Sequence, residues 1–314
     1  MDIKKEGNIV AGNSHKKCRL KSSPLTFRQA LHWIGSGLAL IGIVFVAIRL
    51  NEYWGSQDLS HISPVTWAAI GSLAVFYGSA NILLALAWRQ LLAQFGPHVT
   101  RMWAIRVYGV SQLAKYVPGN IFHIAGRQAI GMSAGLSGTA LAKSTFWELS
   151  LLATTGMLYG WLVLPLLLPK LPLIASSALL LGSVWALAYL LRRVIGLQAS
   201  LCFKLQMIFL AISAGVFTAL LGVVVPSTEY HPQTWLFIGG AYVVAWLVGL
   251  VTPGAPAGVG VRELVLLFLL KNFVVESDLI VTVLLGRMVT VMGDVLFFSA
   301  AFFLPAKKVF VEKL

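Results

Sequence analysis

Long apolar stretches separated by short polar ones run through most of this 314-residue chain. Most of these stretches are close to the ~20 residues that an α-helix needs to cross the hydrocarbon core of a bilayer. The pattern therefore predicts membrane-spanning helices at residues 27–50, 62–92, 141–168, 173–191, 205–225, 234–251 and 279–304, and a shorter apolar helix at 264–270.

Two segments interrupt this pattern with glycine and proline. Residues 96–131 contain no continuous apolar run, and residues 252–263 read TPGAPAGVGVRE. Irregular backbone at membrane depth is stable only where protein or water satisfies its N–H and C=O groups. We therefore expect an all-α, polytopic integral membrane helical bundle of seven to eight crossings with two re-entrant or broken-helix segments. The alternative interpretation is that both segments are tight turns between spans.

Composition supports a membrane setting. The chain is 58% hydrophobic and 11% charged, whereas a soluble domain carries about 25% charged residues. This excludes a soluble enzyme, a disordered protein and a fibrous one. Lys and Arg number 24 against 11 Asp and Glu, for a net charge of +13. In a membrane protein such an excess is typical of cytoplasmic loops, so we expect no nucleic-acid partner.

The positions of the basic residues predict the topology. With residues 96–131 entering and leaving on one side, 18 of the 24 basic residues fall on the side of the N-terminus and three on the other. Basic loops stay in the cytoplasm. We therefore expect an inner (plasma) membrane protein with a basic cytoplasmic tail at 1–26, a transmembrane domain at 27–304 and a second basic cytoplasmic tail at 305–314.

Six charged residues fall within or beside the predicted spans. Each charge at membrane depth costs about 3 kcal/mol on insertion scales, so such residues face the bundle interior and are functional candidates. Three are basic and three acidic, which predicts pairing. They either hold an anionic substrate, with the acids positioning the arginines, or form salt bridges that only fix helix packing. The residues are Arg127, Arg262, Arg287, Glu148, Glu263 and Asp294.

The interrupted segments suit a phosphate group. A helix that begins at membrane depth directs backbone N–H groups and its positive dipole end at a ligand. Arginine offers phosphate a bidentate donor, and glycine permits close backbone approach. We expect no catalytic residue, metal site or cofactor. The predicted substrate-binding residues are Arg127, Arg262, Arg287, Lys115, Tyr116, Pro118, Gly119, Gly258 and Gly260, with Glu148, Glu263 and Asp294 as supporting acids.

Two further expectations concern the first interrupted segment. Lys115 and Tyr116 are expected at the cytoplasmic mouth of the site. His123 precedes Arg127 by four residues and shares its face if that stretch is helical. It is either a proton-coupling group or a packed histidine.

Two motifs carry a family resemblance. KYVPGN at 115–120 with Gly126-Arg127, and GVGVRE at 258–263, together with Glu148 and Arg287, resemble the lysylphosphatidylglycerol synthase transmembrane (flippase-like) family. The resemblance covers nearly the whole chain after residue 26. It implies movement of a lipid between leaflets, either an anionic phospholipid or a polyprenyl-linked glycan. Synthase activity is not expected, because the chain ends ten residues after residue 304 without the soluble domain of two-part relatives.

Lipid translocation is thus the predicted function, and two other classes stay open. One is a polyprenyl-phosphate-dependent glycosyltransferase or the membrane partner of an envelope glycosyltransferase. Such enzymes usually carry a closely spaced acid pair in the first outer loop, where this chain has only Glu52 and Asp58. The other is a small-solute transporter.

Overall fold

The computed structural model describes residues 64–117, 121–168, 170–225, 232–252, 261–305 and 309–310. Within these ranges the chain forms ten α-helices and a 3₁₀ turn at Leu113–Tyr116, without a β-strand, which confirms the predicted all-α class. The helices are α1 (Pro64–Phe95), α2 (Arg101–Gln112), α3 (Phe122–Ser133), α4 (Gly138–Leu158), α5 (Gly160–Leu167), α6 (Leu173–Val194), α7 (Leu197–Val224), α8 (Pro232–Val251), α9 (Val261–Leu270) and α10 (Glu276–Phe303).

Six helical stretches in the described ranges are long and apolar enough to cross a membrane. They are α1, the α4–α5 pair, α6, α7, α8 and α10, and each overlaps a predicted span. The largest difference is at α7, which begins at Leu197 rather than at residue 205. These helices indicate a multi-pass membrane protein. The predicted span at 27–50, the tail at 1–26 and most of the tail at 305–314 lie outside the described residues.

The two interrupted segments give short helices. The first forms α2, the 3₁₀ turn and α3, and Val117 between the turn and α3 is extended at φ −67° and ψ 133°. The hydroxyl of Thr100 caps α2 by accepting a hydrogen bond from the Trp103 backbone N–H. The second gives α9, which has ten residues. None of these short helices reaches the ~20 residues that a crossing needs.

The long helix α1 lies at the centre of the bundle and packs most extensively on α7 and α10. Its contact with α10 is a close backbone approach between Gly78 and Gly293. A Cβ added to Gly78 would lie 2.7 Å from the carbonyl oxygen of Gly293. Small residues of this kind let helix backbones meet inside a membrane. The contact brings Asn81, three residues after Gly78 on α1, next to Asp294, which follows Gly293 on α10.

A tight hairpin joins α3 to α4. Gly135 in the connection has φ +92°, a conformation that glycine adopts without strain. Ser137 caps α4 by accepting from the Ala140 backbone N–H at 3.3 Å. Across the pair, a Cβ on Gly131 would lie 2.7 Å from a Leu141 side-chain carbon, so the helices are in close contact. The hairpin places Arg127 of α3 opposite Glu148 of α4.

The helix α6 lies at the edge of the bundle, because only 6% of its most apolar 18-residue stretch is buried within the protein. Its outer surface carries Ile174, Leu181, Trp185 and Leu190, all exposed. Several large apolar side chains exposed along one helix are stable against lipid and unusual against water. The exterior of the bundle thus agrees with the membrane setting that the sequence predicts.

Candidate functional site

A cavity of about 120 Å³ lies inside the bundle and collects most of the predicted site residues. It is bounded by α1, α2, the 3₁₀ turn, α3, α4, α7, α8, α9 and α10. Its volume is many times the ~10–15 Å³ that one buried water requires. Lining residues that ionise or are strongly polar are Lys115, Arg127, Arg262, Arg287, Glu148, Asp294, His123, Gln112, Tyr77, Tyr108 and Tyr116.

The hairpin brings Arg127 of α3 against Glu148 of α4 in a buried bidentate ion pair. Nη1 donates to Oε1 at 3.0 Å and Nη2 donates to Oε2 at 2.6 Å. Both side chains are about 5% exposed or less. Forked pairing of this kind is the strongest form of Arg–carboxylate contact, because two charge-assisted hydrogen bonds act together.

Neighbouring side chains hold this pair in place. The Arg127 guanidinium lies over the ring of Trp88 at 4.9 Å and over that of Tyr108 at 4.6 Å. The Tyr108 hydroxyl donates to Glu148 Oε1 at 3.2 Å. From α7, Gln206 donates to the Glu148 backbone oxygen at 3.0 Å. Cation–π contact and extra donors reduce the cost of burying both charges.

Asp294 forms a second cluster, and its side chain is completely buried. Lys115 contacts Oδ2 at 2.7 Å, and the Tyr116 hydroxyl donates to the same oxygen. Asn81 donates to Oδ1 at 3.3 Å, with Gln112 at the longer distance of 3.5 Å. The prediction assigned all three acids to arginines, but Asp294 contacts a lysine and neutral donors instead. Lys115 and Tyr116 therefore both lie on this carboxylate, and Lys115 keeps 20% of its side chain exposed.

The third cluster joins α9 to α10. Arg287 Nε donates to Glu263 Oε1 at 2.8 Å, with the Glu263 side chain 27% exposed. The adjacent Arg262 is buried and lies over the Tyr242 ring at 4.3 Å. Within the described ranges, no carboxylate lies within salt-bridge distance of Arg262.

The short helices α3 and α9 both begin at the cavity. Their second residues, His123 and Arg262, line it. The His123 Nδ1 and Arg127 Nε atoms are buried without a hydrogen-bond partner in the described part of the protein. Buried polar atoms are usually paired, so the described part of the protein leaves two polar atoms of cavity-lining residues unsatisfied.

The remaining predicted site residues either lie at the cavity or fall outside the described residues. Glu263 lies beside the cavity through its contact with Arg287, and the other ionisable candidates line it. Pro118, Gly119, Gly258 and Gly260 lie outside the described residues.

The structure adds polar residues that the motif-based reasoning missed. Asn81 and Gln112 complete the Asp294 cluster, and Gln112 also donates to Asn81 Oδ1 at 3.3 Å. The rule that singled out charges at membrane depth applies equally to side-chain amides, so Asn81 could have been found. Tyr108 and Tyr242 carry no comparable signal, because aromatic residues are common throughout the chain.

Among the residues that the structure describes, the charges around the cavity do not cancel. Lys115, Arg127, Arg262 and Arg287 face three carboxylates in these clusters, which leaves one positive charge in excess. Since an uncompensated buried charge is unfavourable, the excess favours an anionic ligand.

The fold and the cavity define an all-helical, multi-pass membrane protein with a buried ionic site between its helices. Comparison of the chain with protein-family models finds no matching family. Comparison with curated proteins finds no match either. The resemblance to the lysylphosphatidylglycerol synthase transmembrane family stays a prediction from the motifs.

Proposed function

We propose that the cavity binds the anionic head group of a membrane amphiphile and that the protein moves this amphiphile between leaflets. The observation that carries the proposal is Arg262, a buried guanidinium that faces the cavity without a carboxylate in salt-bridge range among the described residues. A phosphate group would supply the missing negative charge and accept two hydrogen bonds from this planar donor.

The helix ends around the cavity support an anion site. The amino termini of α3 and α9 lie at its wall, since His123 and Arg262 are the second residues of these helices. A helix amino terminus carries about half a positive charge and unpaired N–H donors. Interrupted helices with such ends near mid-membrane are typical of substrate sites in transporters. Two independent helix ends thus add to the excess charge of the side chains.

The sequence supports a proposal for the lipid class and for the membrane setting. The motif resemblance favours an anionic phospholipid or a polyprenyl-linked glycan as the cargo. We further propose seven to eight crossings with two re-entrant or broken-helix segments, an inner-membrane location and cytoplasmic termini, as the basic residues predict. A membrane-embedded glycosyltransferase partner would fit a glycan cargo, and the chain itself would act as the translocator, not as an enzyme.

The test is a leaflet-exchange assay in vesicles of phosphatidylcholine and phosphatidylglycerol that contain a fluorescent phosphatidylglycerol. Wild-type protein is compared with Arg262→Gln and with Arg192→Gln, a control on the exposed last turn of α6. We expect Arg262→Gln to slow exchange about tenfold or more, since a charge-assisted hydrogen bond contributes about 1.5–3 kcal/mol. The control should exchange lipid at the wild-type rate.

Folding of each variant is checked by its thermal unfolding in detergent. If folded Arg262→Gln exchanges lipid as fast as wild type, the cavity is not the anion site. If wild type moves neither this lipid nor a fluorescent polyprenyl phosphate, translocation itself is wrong.

A further inference from the structure

The outer surface of α6 carries a column of two aromatic rings and an arginine. Trp185, Tyr189 and Arg193 follow one another at every fourth residue toward the carboxyl end of the helix. The rings of Trp185 and Tyr189 stack with their centroids 5.9 Å apart, and the Arg193 guanidinium lies over the Tyr189 ring at 5.3 Å. Trp185 is 72% exposed and Tyr189 is 51% exposed. The column therefore lies on the outside of the bundle, where its surroundings are lipid.

A lysine of α7 lies across a groove from this column. Ser200 of α7 donates to the Ala188 backbone oxygen of α6 at 2.9 Å, which fixes the register of these antiparallel helices. Lys204 follows Ser200 by four residues and Trp185 precedes Ala188 by three, so both lie about one turn from this contact in the same direction. These steps turn the two side chains by about 40° and 60° toward the same side of the pair. Lys204 is exposed, as Trp185 is. We call the surface between them the outer α6–α7 groove.

Lys204 lies inside a membrane-length helix. It follows Leu197, the first residue of α7, by seven residues, which is about 10 Å along the helix axis. No carboxylate among the described residues lies within salt-bridge distance of Lys204 or of Arg193. A charge within a spanning helix is costly unless it reaches the head groups or meets an opposite charge. An anion in the groove would provide that charge for both residues.

Arg193 is not needed to cap the end of α6. The backbone N–H groups of Ile195 and Gly196 both donate to the Leu191 oxygen, at 3.0 and 2.9 Å. Gln94 of α1 donates to the Ile195 oxygen at 3.0 Å. This helix end thus has other donors, and the Arg193 guanidinium rests on the Tyr189 ring with its N–H groups directed to no described carboxylate.

We propose that the outer α6–α7 groove binds the phosphate of an anionic phospholipid from the surrounding leaflet. Arg193 and Lys204 provide positive charge at the two ends of the groove, and Tyr189 lies between them along the helix axis. In the proposed topology this end of α6 is cytoplasmic, and basic pockets between helices on that side bind anionic head groups. None of these residues lines the cavity. The lipid site is therefore separate from the cavity, and its existence does not depend on the proposed function.

The test measures which lipid lies next to Trp185. Proteins are reconstituted into vesicles of phosphatidylcholine and phosphatidylglycerol in which one lipid or the other carries brominated acyl chains, because bromine quenches indole emission on contact. The emission of Trp185 is the difference between each protein and its Trp185→Phe counterpart. The site variant combines Arg193→Gln with Lys204→Gln. The matched control combines Arg101→Gln with Lys143→Gln, which removes the same charge from two exposed residues on α2 and α4.

We expect Trp185 of the wild-type protein to prefer phosphatidylglycerol over phosphatidylcholine about tenfold, since two basic side chains contact the same head group. The site variant should quench equally with the two lipids. The control should keep a preference within about twofold of wild type. Thermal unfolding in detergent checks that each variant is folded, and the wild-type measurement tests the preference without any variant.

Three results would overturn the proposal. Equal quenching by the two lipids in the wild-type protein would show that the groove does not select an anion. Quenching by neither lipid would show that protein, and not lipid, covers the groove. Loss of the preference in the control as well as in the site variant would show that the overall charge of the protein attracts the lipid. Since Trp185 reports only on the groove, failure of Arg262→Gln to slow lipid exchange would count against the cavity and not against this site.

Discussion

Two regions of the molecule repeat one arrangement with different chemistry. The first unit comprises α2, the 3₁₀ turn, α3 and α4, and the second unit comprises α8, α9 and α10. In each, a short helix begins within an interrupted segment, and an ion pair ties it to the next long helix. The arginine lies on the short helix in the first unit and on the long helix in the second.

The ion pairs of the two units differ in the number of hydrogen bonds between their partners and in their exposure. Arg127 and Glu148 share two hydrogen bonds and are enclosed by aromatic rings. Arg287 and Glu263 share one hydrogen bond, and Glu263 is partly exposed beside Arg262, which has no carboxylate within salt-bridge distance among the described residues. We infer that the Arg127–Glu148 pair stabilises the bundle. A ligand in the cavity can instead change the electrostatic environment of the Arg287–Glu263 pair.

The largest expected effect is the loss of one partner in the first unit. Arg127→Met leaves Glu148 as a buried charge without its cation, and we expect unfolding free energy to fall by about 3–5 kcal/mol. Chemical unfolding in mixed micelles measures the change. Replacing both residues, as in Arg127→Met with Glu148→Met, should recover most of the loss, because an apolar pair leaves no buried charge. A double variant as unstable as the single one would contradict this account of the pair.

The second effect concerns the glycine contact that positions Asp294. Gly78→Ala places a methyl group 2.7 Å from the Gly293 carbonyl oxygen, so α1 and α10 must separate. We expect a loss of about 1–3 kcal/mol in unfolding free energy, the usual cost of overpacking.

Gly71→Ala on the same helix is the matched control, because a Cβ there has no atom within 4 Å. It should be neutral or slightly stabilising, since alanine favours helix over glycine. Equal losses in the two variants would show that helix propensity, not the contact between glycines, determines the result.

Much of this fold could be predicted because apolar length is a direct signal of a spanning helix. The ends of α1, α6 and α8 lie within a few residues of the prediction. The 3₁₀ turn and the α3–α4 hairpin could not be predicted in detail, since their geometry depends on contacts such as Gly131 with Leu141. Regular periodicity specifies helices, whereas the interrupted segments are shaped by the helices around them.

The candidate site was predictable in its charges but not in its pairing. Burial cost alone singled out the six charged residues. Burial cost could not predict that Asp294 contacts Lys115, because the partner of a buried carboxylate depends on how α1, α2 and α10 pack against one another. The neutral donors Asn81 and Tyr108 were missed for the same reason. Sequence indicates which groups need partners, and only the packing determines which partners they have.

A smaller effect is expected from Glu263→Gln in the second unit. Its ion pair with Arg287 is partly exposed and singly hydrogen-bonded, so stability should fall by about 1 kcal/mol, well below the loss for Arg127→Met. The variant also raises the excess positive charge of the site by one. We therefore expect tighter binding of glycerophosphoglycerol, measured by thermal stabilisation across a concentration series. Weaker binding would mean that Glu263 orients Arg287 for the ligand instead of competing with it.

An effect of similar size is expected from Tyr108, whose variants separate its hydrogen bond to Glu148 from its ring contact with Arg127. Tyr108→Phe removes one hydrogen bond to Glu148 but keeps the ring that lies 4.6 Å from the Arg127 guanidinium. Because Glu148 keeps both hydrogen bonds from Arg127, the expected loss in unfolding free energy is about 0.5–1.5 kcal/mol. Tyr108→Leu removes the ring as well and should cost about 0.5–2 kcal/mol more through the lost cation–π contact. If Tyr108→Phe destabilised the protein as much as Arg127→Met, the pair would depend on its neighbours more than on its own two hydrogen bonds. The contrast between a self-sufficient first unit and a ligand-responsive second unit would then be wrong.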